Sequence, residues 1–103
     1  FDWEDVGPVI AKLKEEIGEY EEAMAAADEA ALQHELGDIL FAAVNLARHT
    51  GIEPEIALRD ANKRFENRFK WIEQELSSRG TTIKDASLET MDELWEQAKS
   101  TGL

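Results

Sequence analysis

Long stretches in which apolar residues recur every three or four positions, with almost nothing between them to break a helix, leave this chain few folds. Only two prolines and six glycines occur in 103 residues, and they fall between the periodic segments. Pro8 sits where a first helical turn tolerates it, with Asp5 upstream as a candidate cap. Ile10, Leu13, Ile17, Tyr20 and Met24 then mark one amphipathic helix. The run Ala25 to Ala27 before Asp28 ends it or forms a short connection. A second helix is expected from about Asp28 to Thr50, with Gly51 just past its end. Pro54 opens a third, striped by Leu58, Ala61, Phe65, Phe69, Ile72 and Leu76 and followed by Gly80. Residues 81–86 read as loop. Ser87 then caps a last helix carrying Leu88, Met91, Leu94 and Trp95. No strand alternation stands out, so the expected fold is all-α, a bundle of four main helices.

The length suits one domain over residues 1–103. Because the first residue is Phe1, this domain is expected to be a piece of a longer chain. Cysteine is absent, which excludes disulfides, thiolate metal sites and cysteine nucleophiles. No apolar run approaches the roughly 20 residues of a membrane-spanning helix, and the acidic, mixed opening is unlike a secretion signal. A cytoplasmic location is the expectation. Twenty-three acidic against eleven basic residues give a net charge of -12. A field of that sign repels nucleic acid and anionic membranes, so neither is expected as a partner. An anionic substrate would need cations or a local basic patch to reverse it.

The third helix, at roughly 26 residues, would be about 39 Å long. That exceeds the diameter of about 33 Å implied for a compact domain of about 100 residues. Its stripe continues to Leu76. A second copy covering the overhang would resolve the mismatch, and a homodimer is expected.

The second helix carries the sharpest chemical signal. Between Leu36 and Ala47 the only polar side chains are Asp38 and Asn45. A helix apolar all round is expected to be buried on most of its surface, where an ionised Asp needs a partner or a metal. Glu35, Asp38, Ala42, Asn45 and His49 share one face, and small Ala42 leaves room at its centre. On the first helix Lys12, Glu16 and Glu19 share a side. An antiparallel hairpin would bring Glu16 and Glu19 opposite Glu35 and Asp38, four carboxylates that cannot all stay ionised without cations. The hard oxygen donors favour Mg²⁺ or Mn²⁺ over Zn²⁺, and neither His is taken to stand at ligand spacing. Taken alone, an acidic run such as Glu15 to Glu19 would equally be a solvated helix face.

Glu15-Glu16-Ile17-Gly18-Glu19 followed by Glu35-Leu36-Gly37-Asp38 resembles the EExxE…ExxD signature of MazG-type nucleoside triphosphate pyrophosphohydrolases. The resemblance extends to Phe1-Asp2-Trp3, the stretches from Ile39 to Phe41 and from Val44 to His49, Ala61 to Phe65, Leu88 to Met91, and Trp95. Together these are similar to the C-terminal domain of two-domain bacterial MazG proteins. The resemblance implies a dimeric all-α fold that hydrolyses nucleoside triphosphates to monophosphate and pyrophosphate with Mg²⁺. By position, Glu16, Glu19, Glu35 and Asp38 match the metal ligands and catalytic carboxylates. Lys12, Arg64 and Arg68 match basic positions, the last two contacting the triphosphate, and Trp95 and Lys99 match positions near the nucleotide. Arg64 stands where the family can carry Lys, and Gln33 and His34 interrupt an often acidic run.

Other roles stay open for several of these residues. Arg64 and Arg68 also fit a solvated basic face paired with Asp60 or Glu66, and Trp95 fits the core. Trp3 would stack on a base or cover the bundle end. Asn45 would orient a substrate hydroxyl or satisfy a buried carbonyl, and His49 would interact with its helix dipole. Two further functions compete: a related all-α phosphohydrolase of narrower substrate, dUTPase-like or a phosphoribosyl-ATP pyrophosphohydrolase, and a non-enzymatic helical interaction module holding a structural cation. A ferritin-like di-iron bundle is disfavoured, since no Glu-x-x-His pair occurs.

Overall fold

The computed structural model describes residues 6–103. Four helices follow one another: α1 (Val6–Ala25), α2 (Glu29–His49), α3 (Pro54–Ser78) and α4 (Leu88–Ser100). No strand occurs among the described residues. No described helix is long and apolar enough to cross a membrane. Asp5 and Trp3 lie outside the described residues, as do the expectations attached to them.

Side-chain caps begin α2 and α4, the second of them at Ser87 as expected. The Asp28 carboxylate accepts from the Ala31 N–H at 3.1 Å, and the Ser87 hydroxyl accepts from the Thr90 N–H at 3.1 Å. At the end of α2 the chain turns through Gly51 at φ 72°. There the Ile52 N–H donates to the Ala47 carbonyl at 2.9 Å and the Gly51 N–H to the Arg48 carbonyl at 3.2 Å, the paired bonds of a Schellman cap. The end of α1 repeats this cap with an unexpected residue. Asp28 N–H donates to the Ala23 carbonyl at 3.3 Å and Ala27 N–H to the Met24 carbonyl at 3.1 Å. Here the left-handed residue is Ala27, at φ 52°, a conformation that costs a Cβ-bearing residue about 1–2 kcal/mol.

By contacts the chain forms two units, Phe1–Ala57 and Leu58–Leu103. In the first, α1 packs on α2 as a helical hairpin. Val6, Glu16 and Ala23 are buried on α1, but only Ala42 on α2. The expected burial of most of α2 is therefore not met within this chain: Leu40 is 61% exposed and Phe41 77%. Asp38 is likewise not enclosed, its side chain being 43% exposed. On α1 the apolar stripe itself is half-open at Ile10, Ile17 and Met24. Ala23 and Ala42 are the small residues buried on the hairpin, and Glu16 is its buried polar group among the described residues.

The second unit has its core where α3 meets α4. Ile72, Leu76 and Leu94 are each 1% exposed, with Trp71, Ile83, Ala86, Met91 and Trp95 packed around them. The stripe of α3 is thus covered at its C-terminal end by the chain's own last helix, contrary to the expectation of an overhang reaching Leu76. The apolar residues of α3 left exposed lie near its start, at Ile56, Leu58 and Phe65.

Candidate active site

The hairpin sets two helical faces against each other. Val9, Lys12 and Glu16 of α1 and Asp38, Phe41, Ala42 and Asn45 of α2 line one cleft of about 380 Å³. Their spacing explains the grouping, since residues three, four or seven apart share a helix face. Val9 and Phe41 belong to this lining and were missed from sequence, where each reads as ordinary apolar patterning. Glu35 and His49 share a sequence face with Asp38 but do not line the cleft, and His49 is exposed in the last turn of α2.

Glu16 dominates the electrostatics. Its side chain is buried, and Oε1 lies 3.0 Å from the Lys12 ammonium. Its other oxygen, Oε2, is shut away from solvent with no hydrogen-bond partner, and the same is true of Glu35 Oε2. An unmet buried carboxylate oxygen is costly, so native structures rarely keep one without a function or an ion. Glu16, Glu19 and Glu35 bring one oxygen each within 4.8 Å of one another. The charge of Glu16 holds the Glu19 carboxyl above its ordinary value of 4.5, helped by a hydrogen bond to Glu35 that only the protonated form donates. Lys12 is raised in turn, first by its hydrogen bond to Glu16 and then by the charge of Glu15, whose carboxylate lies 3.6 Å away.

The four expected ligands do not form one set. Asp38 joins Glu35 in a second group whose third member is His34, again with ligand atoms within 4.8 Å. His34 Nε2 stands 3.3 Å from Asp38 Oδ2, one turn away on α2. The expectation that neither histidine has ligand spacing is therefore corrected for His34. The i,i+4 step from His34 to Asp38 is visible in the sequence, though it is not a Glu-x-x-His pair.

The remaining expected residues lie in the second unit. Arg68 places its guanidinium 5.5 Å from the centre of the Trp95 ring, and its Nε donates to the Leu103 carbonyl at 2.6 Å. Phe65 packs against Trp95 at 5.5 Å and Phe69 at 6.0 Å. Trp95 is thus partly a core residue and partly a platform for Arg68. Arg64 is exposed. Neither arginine pairs with Asp60 or Glu66 among the described residues. Lys99 approaches Glu96 at 3.8 Å.

The site is that of an all-α protein with a cluster of facing carboxylates that could hold a metal ion, its buried oxygens unpartnered and Lys12 the one cation that reaches Glu16 among the described residues. Comparison with known proteins narrows the class. Residues 7–73 match the MazG nucleotide pyrophosphohydrolase domain, and the chain belongs to that family. It is 50% identical over 101 residues to a nucleoside triphosphate pyrophosphohydrolase of Escherichia coli (strain K12), covering 96% of this chain and 38% of the relative. It is 41% identical over 99 residues to the nucleoside triphosphate pyrophosphohydrolase/pyrophosphatase MazG of Thermotoga maritima, with the same coverage of 96% and 38%. A Bacillus subtilis protein known as uncharacterized protein YabN is 51% identical over 70 residues, which is 68% of this chain and 14% of that protein. The chain therefore spans well under half the length of these relatives.

Proposed function

We propose that this chain is a single MazG-like domain, residues 1–103, that hydrolyses nucleoside triphosphates to nucleoside monophosphate and pyrophosphate with Mg²⁺. The observation that carries this reading is the pair of buried, unpartnered carboxylate oxygens on Glu16 and Glu35 within a family of nucleotide pyrophosphohydrolases. The family match runs across the boundary between the two contact units, which supports one functional domain. The donors are hard oxygens and fit Mg²⁺, with Mn²⁺ as a substitute. Glu16, Glu19, Glu35 and Asp38 would hold metal ions, with Glu35 common to the group of Glu16 and Glu19 and to that of Asp38. Bound there, a divalent cation lowers the pKa of an attacking water and neutralises charge on the transferring phosphoryl group.

The chain's own residues supply the rest. A carboxylate of the cluster on α1 would accept the proton from the attacking water. Lys12 offsets charge at the cleft, and Asn45 offers a neutral hydrogen-bonding group on its wall. Arg64, Arg68, Trp95 and Lys99 carry the roles the resemblance gives them, the arginines on the triphosphate and Trp95 and Lys99 near the nucleotide. Trp3 would stack on the base of the nucleotide. We assign the protein to the cytoplasm, with no nucleic acid or membrane as partner.

A homodimer accompanies this reading. Ile10, Ile17 and Met24 are exposed by 39, 43 and 58% and recur every seven residues on α1. Leu36, Leu40 and Val44 add a parallel row on α2. Such rows on a helical hairpin suit the seam of a four-helix bundle made with a second copy. Sedimentation equilibrium at micromolar concentration should give at least twice the monomer mass, and a well-folded monomer would contradict it. The activity is tested by incubating the protein with each common triphosphate, with Mg²⁺ or with EDTA, and identifying products. Monophosphate and pyrophosphate formed only with metal are expected. Metal-independent turnover, or none with any triphosphate, would reject the proposal.

A further inference from the structure

The His34, Glu35 and Asp38 group differs in kind from the all-carboxylate group beside it. An imidazole nitrogen is a borderline donor that Mn²⁺, Co²⁺ and Zn²⁺ accept readily, whereas Mg²⁺ keeps oxygen ligands and its own waters. His34 and Asp38 are one helical turn apart, and their ligand atoms are 3.3 Å apart. Ligands about 2.0–2.2 Å from a common divalent ion stand about 3–4 Å from one another. Glu35 contributes the third ligand atom within 4.8 Å. It also joins this group to the first one, where Glu16 is only 6% exposed and keeps its Oε2 without a partner. Glu35, the residue common to both groups, likewise keeps a buried Oε2 without a partner. His34 itself is open to solvent, its side chain 72% exposed. Asp38 is its one charged contact among the described residues.

We propose that His34 joins Glu35 and Asp38 as a nitrogen ligand, making a subsite that takes Mn²⁺, Co²⁺ or Zn²⁺ in preference to Mg²⁺. This deepens the metal-dependent reading above and rests on it for the role of the carboxylates. His34 then sets metal preference, while the Glu16, Glu19 and Glu35 group remains a site for a hard cation.

The test uses the untagged, metal-free protein and its His34→Gln variant, which should fold normally because the side chain is exposed. Mn²⁺ bound to the wild type should show ¹⁴N modulation in pulsed electron paramagnetic resonance, and the variant should lose it. Calorimetric titration with Co²⁺ should give an affinity at least about 10-fold weaker in the variant, with Mg²⁺ affinity unchanged. Absence of nitrogen modulation in the wild type would overturn the proposal. So would equal loss of Co²⁺ and Mg²⁺ affinity, which would mean that His34 merely orients Asp38. Nitrogen ligation without triphosphate hydrolysis would support this inference and reject the proposed activity. Mg²⁺-dependent hydrolysis without a nitrogen signal would do the reverse.

Discussion

Replacing Glu16 by Gln should raise metal-free stability while abolishing the response to metal. Glu16 is 6% exposed, and one of its two oxygens has no partner. An unsatisfied buried polar group costs about 1–3 kcal/mol, and more when charged. The compensating contact to Lys12 at 3.0 Å is weak, since the lysine side chain is 58% exposed. Gln keeps an amide oxygen for Lys12 and turns the orphan oxygen into an N–H donor beside Glu35 and Glu19. Removing the charge also relieves its repulsion on Glu19. The net gain in EDTA should be about 1–2 kcal/mol, a rise in Tm of roughly 5–10 °C for a domain of this size. Wild-type protein at 100-fold excess of Mg²⁺ over Kd should gain about 2.7 kcal/mol from binding, and the variant should gain almost none. Turnover should fall more than about 100-fold, beyond the usual loss from an outer-shell change. Thermal melts with EDTA and with graded Mg²⁺ read both effects. A variant that is destabilised without metal, or that keeps Mg²⁺ stabilisation, would refute the view that Glu16 is a charge waiting for a cation.

The remaining predictions concern the scaffold and its titration. Ala27→Gly should stabilise the chain by about 1 kcal/mol, because glycine adopts the left-handed turn without a Cβ clash; an unchanged denaturant midpoint would contradict this. Leu94→Ala should cost about 2–5 kcal/mol by opening a cavity against Ile72 and Leu76, and a loss below about 1 kcal/mol would mean that this core does not hold the second unit together. In EDTA, stability should fall as pH rises from 4.5 through the raised value of Glu19, because over that window the folded state binds more protons than the unfolded chain. Glu19→Gln should flatten that part of the pH profile, and an identical profile in the variant would show that Glu19 is not the group responsible.

Helix boundaries were legible because Asp28, Gly51, Pro54, Gly80 and Ser87 each act through local backbone chemistry that needs no tertiary context. Ala27 was not, since an alanine in the left-handed turn carries no compositional mark. Periodicity told which residues share a face but not what covers it. The apolar surround of Asp38 suggested burial, yet Leu40 and Phe41 are largely exposed and Asp38 is half-open. The stripe at Ile72 and Leu76 suggested a partner, yet Leu94 of the same chain covers it. The carboxylate that is buried, Glu16, sits in a run of acidic residues indistinguishable by composition from a solvated face. Only packing against α2 separates it from Glu15. His34 was legible in principle, being one turn before Asp38.

In the proposed reaction water attacks the α-phosphorus of a nucleoside triphosphate and pyrophosphate leaves. The metal ligands alone would equally suit attack at the γ-phosphorus, so the position of cleavage needs its own measurement. Hydrolysis in ¹⁸O-labelled water with Mg²⁺, followed by mass spectrometry of both products, provides it. One labelled oxygen is expected in the nucleoside monophosphate and none in pyrophosphate. Label in pyrophosphate would place the attack on the β-phosphorus, and release of labelled orthophosphate with a nucleoside diphosphate would place it on the γ-phosphorus. Either result would contradict the proposed reaction even if the metal site were real.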